Sequence, residues 1–358
     1  MNDKTINVGL IGAGWWASEA HLPALAAHPH ASTIAIQTRS ADKARKLTER
    51  FGIPQAFTTA EDLLALPELD AVIISSTPNV HFAQARAALD RELHVLIEKP
   101  MTLRASESEE LVALADRKGV QFLISCPWHY SRHGQLARER IASGALGTIR
   151  LVNIFMSNFT LGFLEGKSFA EALGGSDGTD ASITPEIEPN RNSYSDPDTA
   201  GGGHIYTQAS HIFAYIGFLT GLDPVEISAR FDSAGTAVDA TNAMHIRFEG
   251  GALGAVGTIS THSDVERYFE VRVIGTKGVL SLELWKGHFH LRLSDGSVED
   301  PLPLAEDEIY PKFGPAWNLV DAARGTSCNR SPATLGHYAM RLIEGACHSA
   351  ASGRPVKF

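Results

Sequence analysis

An apolar strand near the N-terminus runs directly into a glycine-rich turn, and this junction restricts the fold more than any other feature. The predicted strand Ile6–Ile11 is followed by Gly12-Ala13-Gly14-Trp15-Trp16-Ala17, which has the spacing G-x-G-x-x-A. Gly12 allows a tight turn, Gly14 lets backbone N–H groups approach a pyrophosphate, and Ala17 lets the next helix pack on the strand. That helix directs its positive end at the phosphates. The pattern predicts a dinucleotide site, and an ordinary glycine-rich βα turn is the alternative.

Length, composition and cysteine content limit the class of protein. A chain of 358 residues with 44% apolar and 20% charged residues predicts a globular protein of two domains without a membrane span. Because Met1-Asn2-Asp3-Lys4 leads straight into the first strand, we expect no signal peptide. The widely spaced Cys126, Cys328 and Cys347 favour reduced thiols in the cytoplasm over a disulfide framework. A formal net charge of −10 argues against a nucleic-acid partner.

The first third of the chain alternates short apolar strands with helices. The strand candidates are Ile6–Ile11, Ser32–Gln37, Ala71–Ser75, His94–Ile97 and Gln121–Ser125. The helical stretches between them are Trp16–Ala26, Ala41–Phe51, Val80–Asp90 and Ala105–Lys118. This alternation predicts βαβ units and a doubly wound parallel α/β sheet, a Rossmann dinucleotide-binding domain over residues 1–125.

The pattern changes after about Cys126. A helix is predicted over Gln135–Ser143, and alternating strands follow at Thr148–Ser157, Val225–Phe231, Ala243–Phe248, Leu253–Ser260, Phe269–Ile274 and Val279–Leu284. Turns are expected at Gly250-Gly251 and Gly275-Thr276-Lys277-Gly278. We therefore expect a second domain over residues 126–358 with an open, mainly antiparallel sheet packed on helices. The long polar stretch Asn158–Gly203 is typical of a functional or mobile loop.

Four motifs in the expected order resemble one family across nearly the whole chain, the glucose–fructose oxidoreductase, inositol dehydrogenase and rhizopine-catabolism (Gfo/Idh/MocA) oxidoreductases. They are Gly12 to Ala17 with His21-Leu22-Pro23-Ala24-Leu25, then Thr77-Pro78-Asn79-Val80-His81, Glu98-Lys99-Pro100, and Gly201-Gly202-Gly203-His204-Ile205-Tyr206-Thr207-Gln208-Ala209-Ser210-His211. The resemblance implies an N-terminal Rossmann domain, a C-terminal domain on an open sheet, and a homodimer or homotetramer formed through that sheet.

The resemblance also implies an activity. It indicates an NAD(P)-dependent oxidoreductase that acts on a secondary alcohol of a sugar, a sugar derivative or a cyclitol. An enzyme that retains its NAD(P) and catalyses redox-neutral glycoside cleavage or epimerisation is an alternative. A regulatory sensor that binds the nucleotide without turnover is a further one, against which the presence of Lys99 and His211 speaks.

Lys99 follows the apolar run Val95-Leu96-Ile97, where doubly wound sheets place their ligands. Pro100 holds Lys99 out of the helical region of backbone space. A lysine at such an edge can bond a substrate hydroxyl and take its proton, and burial lowers its pKa toward that task. A surface ion pair with Glu98 is the alternative from spacing alone. The resemblance implies that Lys99 is catalytic and binds the substrate.

His211 is the second candidate for proton transfer. A helix predicted over His204–Leu219 places Thr207 and His211 four residues apart on one face. A packed core histidine is the alternative, whereas the resemblance implies a catalytic histidine here. The family usually carries Asp where this chain has Thr207, which bears no charge, so Lys99 and His211 are expected to share the proton. Gln208 is a candidate for substrate binding, and Tyr206 a lesser acid or base.

The end of the second strand indicates the type of cofactor. The sequence Ile36-Gln37-Thr38-Arg39-Ser40 lacks the acid that binds the ribose hydroxyl of NAD, so we expect NADP to be preferred over NAD. A solvated Arg39 at a helix start is the alternative. With the resemblance, the expected cofactor-binding residues are Gly12, Ala13, Gly14, Trp15, Trp16, Thr38, Arg39, Ser40, Thr77, Pro78, Asn79, His81, Glu98 and Lys99.

Several substrate contacts are weaker predictions. Pro127-Trp128-His129-Tyr130 enters the second domain, so Trp128 and His129 are candidates, with interdomain packing the equal alternative. Tyr194, Asp196 and Asp198 precede the triple glycine and are candidates for sugar hydroxyls, although loop carboxylates are usually solvated. The expected substrate-binding residues are Lys99, Trp128, His129, Tyr194, Thr207, Gln208 and His211. His288 and His290 share a strand face, but no third ligand stands nearby, and we expect no metal.

Overall fold

The computed structural model describes residues 4–173, 187–262 and 267–358. These residues form two compact units. The first contains residues 4–127, 187–193 and 312–337, and the second contains 128–173, 194–262, 267–311 and 338–358. The chain thus returns to the first unit after most of the second has been formed.

The first unit is built on a six-stranded parallel sheet in the order β3-β2-β1-β4-β5-β6. Its strands are β1 (Ile6–Ile11), β2 (Ala31–Gln37), β3 (Gln55–Phe57), β4 (Ala71–Ile74), β5 (His94–Ile97) and β6 (Phe122–Ile124). The predicted doubly wound α/β sheet is confirmed. The short strand β3 was not predicted, because its three residues are too few and too exposed to show a pattern.

Helices connect these strands. They are a π-helical segment Ala17–His21 with α-helix Leu22–Ala27, followed by Ala41–Phe51, Ala60–Leu64, Pro78–Asp90 and Ala105–Lys118. Later in the chain, Gly314–Ala323 also belongs to the first unit, and Ala333–Ser352 begins in the first unit and ends in the second. Ser40 caps its helix by accepting the backbone N–H of Lys43, and Gly52 ends that helix at φ +67°. A single helix was expected over Trp16–Ala26. The structure has a helix there, but its first part, Ala17–His21, is π-helical and only Leu22–Ala27 is α-helical.

The strands of the first unit are buried on both faces. Val8, Leu10, Ile73 and Leu96 are inaccessible to solvent, as a parallel sheet covered by helices requires. Burial of each such side chain stabilises the unit by about 1.5–3 kcal/mol. The carboxyl ends of β1, β2, β4 and β5 are thereby held rigidly at one edge of the sheet.

The second unit is built on a nine-stranded sheet in the order β14-β13-β12-β11-β7-β10-β9-β8-β15. Its strands are β7 (Ile149–Asn158), β8 (Pro224–Asp232), β9 (Thr241–Phe248), β10 (Leu253–Ser260), β11 (Tyr268–Gly275), β12 (Gly278–Glu283), β13 (His288–Leu293), β14 (Val298–Glu299) and β15 (Val356–Lys357). Among the described residues of this nine-stranded sheet, only the β7–β10 pair is parallel. The expected mainly antiparallel sheet is therefore confirmed.

One face of this sheet is buried and the other exposed. Along β7, Ile154 and Met156 are buried, whereas Asn153 and Phe155 are exposed, as the two-residue period of a strand requires. Helices of the second unit contact the buried face. The helices of this unit and the short 3₁₀ segments are Pro127–Tyr130, Arg132–Ala142, Leu161–Leu164, Phe169–Leu173, Asn192–Ser195, Pro197–Ala200, His204–Thr207, Ala209–Thr220, Glu249–Gly251, Leu284–Lys286 and Glu306–Ile309.

The helix expected over His204–Leu219 is broken. His204–Thr207 ends at Gln208, whose backbone lies at φ −123° and ψ −44°, and a second helix, Ala209–Thr220, begins after it. The backbone N–H of His211 then donates to the carbonyl of Gln208 at 3.0 Å. Thr207 and His211 therefore lie on two different helices. Residues 174–186 of the polar stretch Asn158–Gly203 lie outside the described residues.

In the part of the chain that the structure describes, no helix combines the length and the apolar character that crossing a lipid bilayer would need.

Candidate active site

The turn after β1 has a geometry that only glycine adopts without strain. Gly12 has φ +79°, and a Cβ atom there would lie 2.4 Å from the backbone nitrogen of Ser76. At Gly14, a Cβ atom would meet only the Gly12 carbonyl oxygen, at 3.7 Å. The backbone beside Gly14 is therefore open, which fits the close approach of a pyrophosphate.

The residues after β2 are arranged by local hydrogen bonds. Gln37 accepts the backbone N–H of Gly12 on Oε1 at 3.1 Å, and its amide donates to the Thr58 carbonyl at 2.9 Å. Ser40 is engaged as a helix cap, as described above. Arg39 is exposed and forms no ion pair with any described residue. Arg39 is thus the one cation of this segment that presents its charge to solvent.

His81 connects the loop after β4 to the segment after β5. It is fully buried, and its ring nitrogens lie 3.0 Å from the carbonyl oxygens of Pro100 and Ser76. Burial lowers the pKa of His81. Both ring nitrogens face protein carbonyls, so the imidazole positions Pro100, next to Lys99. Nearby, Thr77 donates to the side-chain oxygen of Asn79 at 2.7 Å.

Glu98 forms a buried pair with His21. The Nε2 atom of His21 lies 2.9 Å from Oε1 of Glu98, and Oε2 accepts the backbone N–H of Lys99 at 3.2 Å. Burial acts to raise the pKa of Glu98, but the hydrogen bond from His21 and the charges of His21 and Lys99 outweigh it and lower the pKa. Glu98 is therefore a carboxylate at neutral pH.

Lys99 follows Glu98 at the carboxyl edge of the parallel sheet in the first unit. Burial lowers the pKa of its ammonium, and the carboxylate charge of Glu98 acts in the opposite direction. Its side chain keeps partial exposure at the carboxyl edge of the sheet. A lysine with a lowered pKa exchanges its proton near neutral pH more readily than a solvated one.

In the second unit, Asp239 holds the start of the His204–Thr207 helix. Its carboxylate accepts the backbone N–H groups of Gly203 at 2.9 Å and Ile205 at 2.7 Å. A Cβ atom on Gly203 would lie 2.0 Å from the Asp239 carbonyl oxygen. The glycine motif is therefore required for this close approach. Asp239 was not predicted, because it lies far from the motif in the sequence.

His204 is fixed by the strands beneath it. Its ring nitrogens lie 2.9 Å from the Thr258 hydroxyl and 3.0 Å from the side-chain oxygen of Asn158, and the imidazole is fully buried. His204 of the glycine motif is thus held in place by contacts with two strands. This role was not predicted, because the sequence does not reveal which strand residues lie under the helix.

Thr207 and His211 have different environments. The Thr207 hydroxyl donates to the Gly203 carbonyl at 2.9 Å and is buried. His211 is also largely buried, and its ring meets the ring of Trp128 edge-on at a centroid distance of 5.4 Å. Thr207 therefore takes part in the helix hydrogen bonding, whereas the His211 ring packs against Trp128.

Trp128 is the centre of an aromatic cluster around His211. Its ring lies edge-on to those of Phe269 at 4.9 Å, Trp285 at 5.1 Å and Tyr310 at 4.7 Å. We call Trp128, Trp285 and Tyr310 the aromatic wall. Trp285 and Tyr310 were not predicted, because nothing in their local sequence marks them and only the fold brings them to Trp128.

Other predicted residues take part in packing. His129 stacks on Phe218 at 4.4 Å, and burial, with a contribution from the charge of Arg138, lowers the pKa of His129 to about 3. Tyr194 packs against Phe163 at 5.6 Å. Asp196 caps the short helix after it, with its oxygens accepting from Asp198 and Thr199. Exposed His290 lies 3.5 Å from Asp300, and the described residues hold no metal-ligand cluster.

The predicted residues thus fall into two sets, one in each unit. The first unit places the cofactor candidates Gly12, Ala13, Gly14, Trp15, Trp16, Thr38, Arg39, Ser40, Thr77, Pro78, Asn79, His81, Glu98 and Lys99. The second unit places Trp128, His129, Tyr194, Thr207, Gln208 and His211.

Two family models match the chain. The model of an oxidoreductase family with an NAD-binding Rossmann fold matches residues 6–125. The model of the Gfo/Idh/MocA C-terminal domain matches residues 135–281. The chain belongs to the Gfo/Idh/MocA family of oxidoreductases. The Rossmann model covers the glycine turn and Lys99, and the C-terminal model covers His211 and the sheet of the second unit.

The chain is similar to named oxidoreductases, two of which carry sugar-related names. An uncharacterized oxidoreductase of Synechocystis sp. is 31% identical over 60% of the chain, which aligns with 52% of that relative's length. A 1,5-anhydro-D-fructose reductase of Ensifer adhaerens is 26% identical over 84% of both chains. The solved structure of a levoglucosan dehydrogenase with NADH and levoglucosan has a TM-score of 0.81, covers 99% of both chains and is 20% identical, which shows a shared fold.

Proposed function

We propose that the protein is an NAD(P)-dependent oxidoreductase that transfers hydride between the nicotinamide and a secondary alcohol of a sugar, a sugar derivative or a cyclitol. The observation that carries this proposal is the environment of Lys99. Its pKa is lowered by burial, and it lies at the carboxyl edge of the parallel sheet beside the buried Glu98–His21 pair. Membership of an oxidoreductase family and the sugar-related names of the relatives support the reaction class.

The first unit fits a dinucleotide. Gly12 and the open backbone at Gly14 would hold the pyrophosphate, and the segment after β2 would receive the adenosine ribose. We propose NADP as the preferred form, because Arg39 is an exposed guanidinium at this position and no acidic residue lies between the end of β2 and Asp42. When bound, the nicotinamide supplies the site that gives or accepts hydride.

Lys99 and His211 are the proposed catalytic residues. The Lys99 amine accepts the proton of the substrate hydroxyl during oxidation and returns it during reduction. The His211 imidazole shares this proton transfer, since Thr207 stands where the family usually has an ionisable Asp. Trp128, Thr207 and Gln208 belong to the proposed substrate-binding set, and His81 is proposed to position the segment that carries Lys99.

We also propose a homodimer or homotetramer formed through the outer face of the nine-stranded sheet. Phe155 and Leu253 lie on this face with 39% and 53% of their surface exposed. Apolar side chains of this kind on an open sheet face favour association. A cytoplasmic location is proposed from the three cysteines, which are free thiols in the structure.

The reaction is tested by following NADPH and NADH formation with aldoses, uronates, anhydro sugars and inositols. Lys99→Met is the catalytic blank, and Lys118→Met is the matched control, at a partly exposed lysine paired with Glu92. Turnover by the wild type and the control, but not by the blank, supports the proposal. If no sugar of the panel gives reduced cofactor although the cofactor binds, the protein is not a dehydrogenase that releases its cofactor after each turnover. Nucleotide retained through purification would then support the redox-neutral alternative that the residue Thr207 raises.

A further inference from the structure

A guanidinium group lies between two aromatic rings beside the aromatic wall. The Cζ atom of Arg267 is 4.4 Å from the ring centroid of Trp285 and 4.7 Å from that of Phe159. On the Trp285 ring, Tyr310 is also stacked, at a centroid distance of 5.6 Å and an interplanar angle of 25°. Phe159, Arg267, Trp285 and Tyr310 form what we call the arginine stack.

The charge of Arg267 is not balanced within the described structure. No carboxylate of a described residue lies within ion-pair distance of its guanidinium, and the side chain is exposed. Its contacts with described residues are the two aromatic rings. Desolvation by these surroundings lowers the pKa of Arg267. A guanidinium held over ring faces keeps its in-plane N–H fork for a ligand, and that fork matches the two oxygens of a carboxylate or phosphate.

The arginine stack is connected to the candidate proton-transfer residue through the aromatic wall. Trp128 contacts both Trp285 and Tyr310, and the same indole meets the ring of His211. Arg267 is therefore separated from His211 by two aromatic side chains, which are rigid spacers.

Two further donors lie in this wall. The indole N–H groups of Trp128 and Trp285 are buried and have no hydrogen-bond partner in the described part of the chain. A buried N–H group without a partner costs about 1–3 kcal/mol, so such groups are usually satisfied by a ligand or water. The indole N–H groups of Trp128 and Trp285 are therefore candidate donors to a ligand oxygen.

We propose that the substrate carries an anionic group, and that Arg267 binds it and sets the specificity of the enzyme for acidic sugars. This inference rests on the proposed function, since it assigns the substrate class of that same site. The shared chemistry is a group with two or more anionic oxygens, either the carboxylate of a sugar acid or the phosphate of a sugar ester. The indole N–H groups of Trp128 and Trp285 are the proposed donors to the oxygens of the sugar.

The test compares matched sugars that differ only in charge. Glucose, glucuronate and glucose 6-phosphate form one set, and galactose and galacturonate form another. The variants are Arg267→Gln, which removes the charge, and Arg267→Lys, which keeps the charge without the planar fork. Arg341→Gln is the control, because Arg341 also lies over an aromatic ring, that of Phe358 at 5.3 Å, but near the C-terminus.

The expected result is a split between KM and kcat. The wild type turns over one acidic sugar with a kcat/KM above that of its neutral partner. Arg267→Gln raises KM for the acidic sugar about ten- to hundredfold, leaves kcat within a few-fold, and leaves the neutral sugar unchanged. Arg267→Lys gives an intermediate KM, and Arg341→Gln resembles the wild type. Preference for glucuronate assigns a carboxylate, and preference for glucose 6-phosphate assigns a phosphate.

Two results overturn the inference. One is equal or better use of the neutral sugars by the wild type, and the other is an equal loss for neutral and acidic sugars in Arg267→Gln. If no sugar is turned over, calorimetric titration of glucuronate and glucose 6-phosphate into the NADP-loaded protein decides. Binding that Arg267→Gln removes supports the anion site while the proposed reaction fails. Absence of binding overturns the anion site as well.

Discussion

The Nε2 atom of His21 lies 2.9 Å from Oε1 of Glu98, and both side chains are buried in the first unit. The other oxygen of this carboxylate accepts the backbone N–H of Lys99. The buried pair therefore adjoins the proposed catalytic lysine along the chain. The charge of Glu98 also acts to raise the pKa of His81 and the pKa of Cys126. One buried carboxylate is therefore coupled to four ionisable groups, which are His21, Lys99, His81 and Cys126.

Glu98→Gln is expected to move the pH dependence of sugar oxidation to lower pH. The Glu98 charge raises the pKa of Lys99, against the larger effect of burial, so removing that charge lowers the pKa of Lys99 further. Oxidation requires neutral Lys99, and this form then appears at lower pH. The measurement is kcat/KM against pH in the wild type and the variant.

The matched control for this shift is Glu110→Gln, which removes an exposed carboxylate paired with Arg86. Its pH profile should overlay that of the wild type. If the rise of kcat/KM with pH moves to higher pH in Glu98→Gln, or does not move, Glu98 does not set the charge of Lys99.

Lys99→Met should reduce kcat by about 10²–10⁴-fold, because a positioned general base contributes a factor of that size. The methionine side chain has a similar length and apolar stem, so the fold is expected to persist. Cofactor affinity, measured by NADPH fluorescence titration, should stay within about threefold of the wild type, well below the tenfold that 1.4 kcal/mol would give. An unchanged kcat would remove Lys99 from the mechanism.

Arg39→Asp should weaken NADPH binding about tenfold to a hundredfold more than NADH binding. A guanidinium that bonds a 2′-phosphate contributes about 1.5–3 kcal/mol, and NADH lacks that group. Arg50→Asp makes the same change of charge at the exposed end of the Ala41–Phe51 helix and is the control. Equal losses for the two cofactors in Arg39→Asp would contradict the NADP assignment.

Gly203→Ala should destabilise the second unit by about 1–3 kcal/mol, because its Cβ would lie 2.0 Å from the backbone oxygen of Asp239. Gly257→Ala is the control, since its Cβ would meet a Phe155 ring carbon at an ordinary 3.4 Å. Differential scanning calorimetry measures both. A melting temperature equal to that of the wild type in Gly203→Ala would mean that Asp239 does not constrain this turn.

Much of the fold was predictable because its signals are local. The glycine turn, the apolar runs of β1, β4 and β5, and the alternation along β7 each follow from a few consecutive residues. The break at Gln208 was not, since both flanking segments are apolar and helix-forming. Asp239 fixes the start of the first helix from a distant loop, a tertiary contact that no local pattern indicates.

The candidate site was predictable only where a motif carries it. Lys99 and His211 stand in recognisable motifs, whereas Arg267, Trp285 and Tyr310 lie in segments without any. These three residues reach the aromatic wall through sheet pairing and side-chain stacking, which no short stretch of sequence encodes. His129 was a candidate substrate contact with packing as the equal alternative, and Asp196 was a weaker candidate; in the structure His129 stacks on Phe218 and Asp196 caps a short helix.

The most direct test of the central claim is the rate of NADPH formation with neutral and acidic sugars in the wild type and in Lys99→Met. We expect the wild type to turn over at least one sugar. In Lys99→Met, the rate of NADPH formation should fall by about 10²–10⁴-fold while the cofactor still binds. Wild-type levels of NADPH formation in Lys99→Met, or no reduction of bound NADP by any sugar, would contradict the central claim.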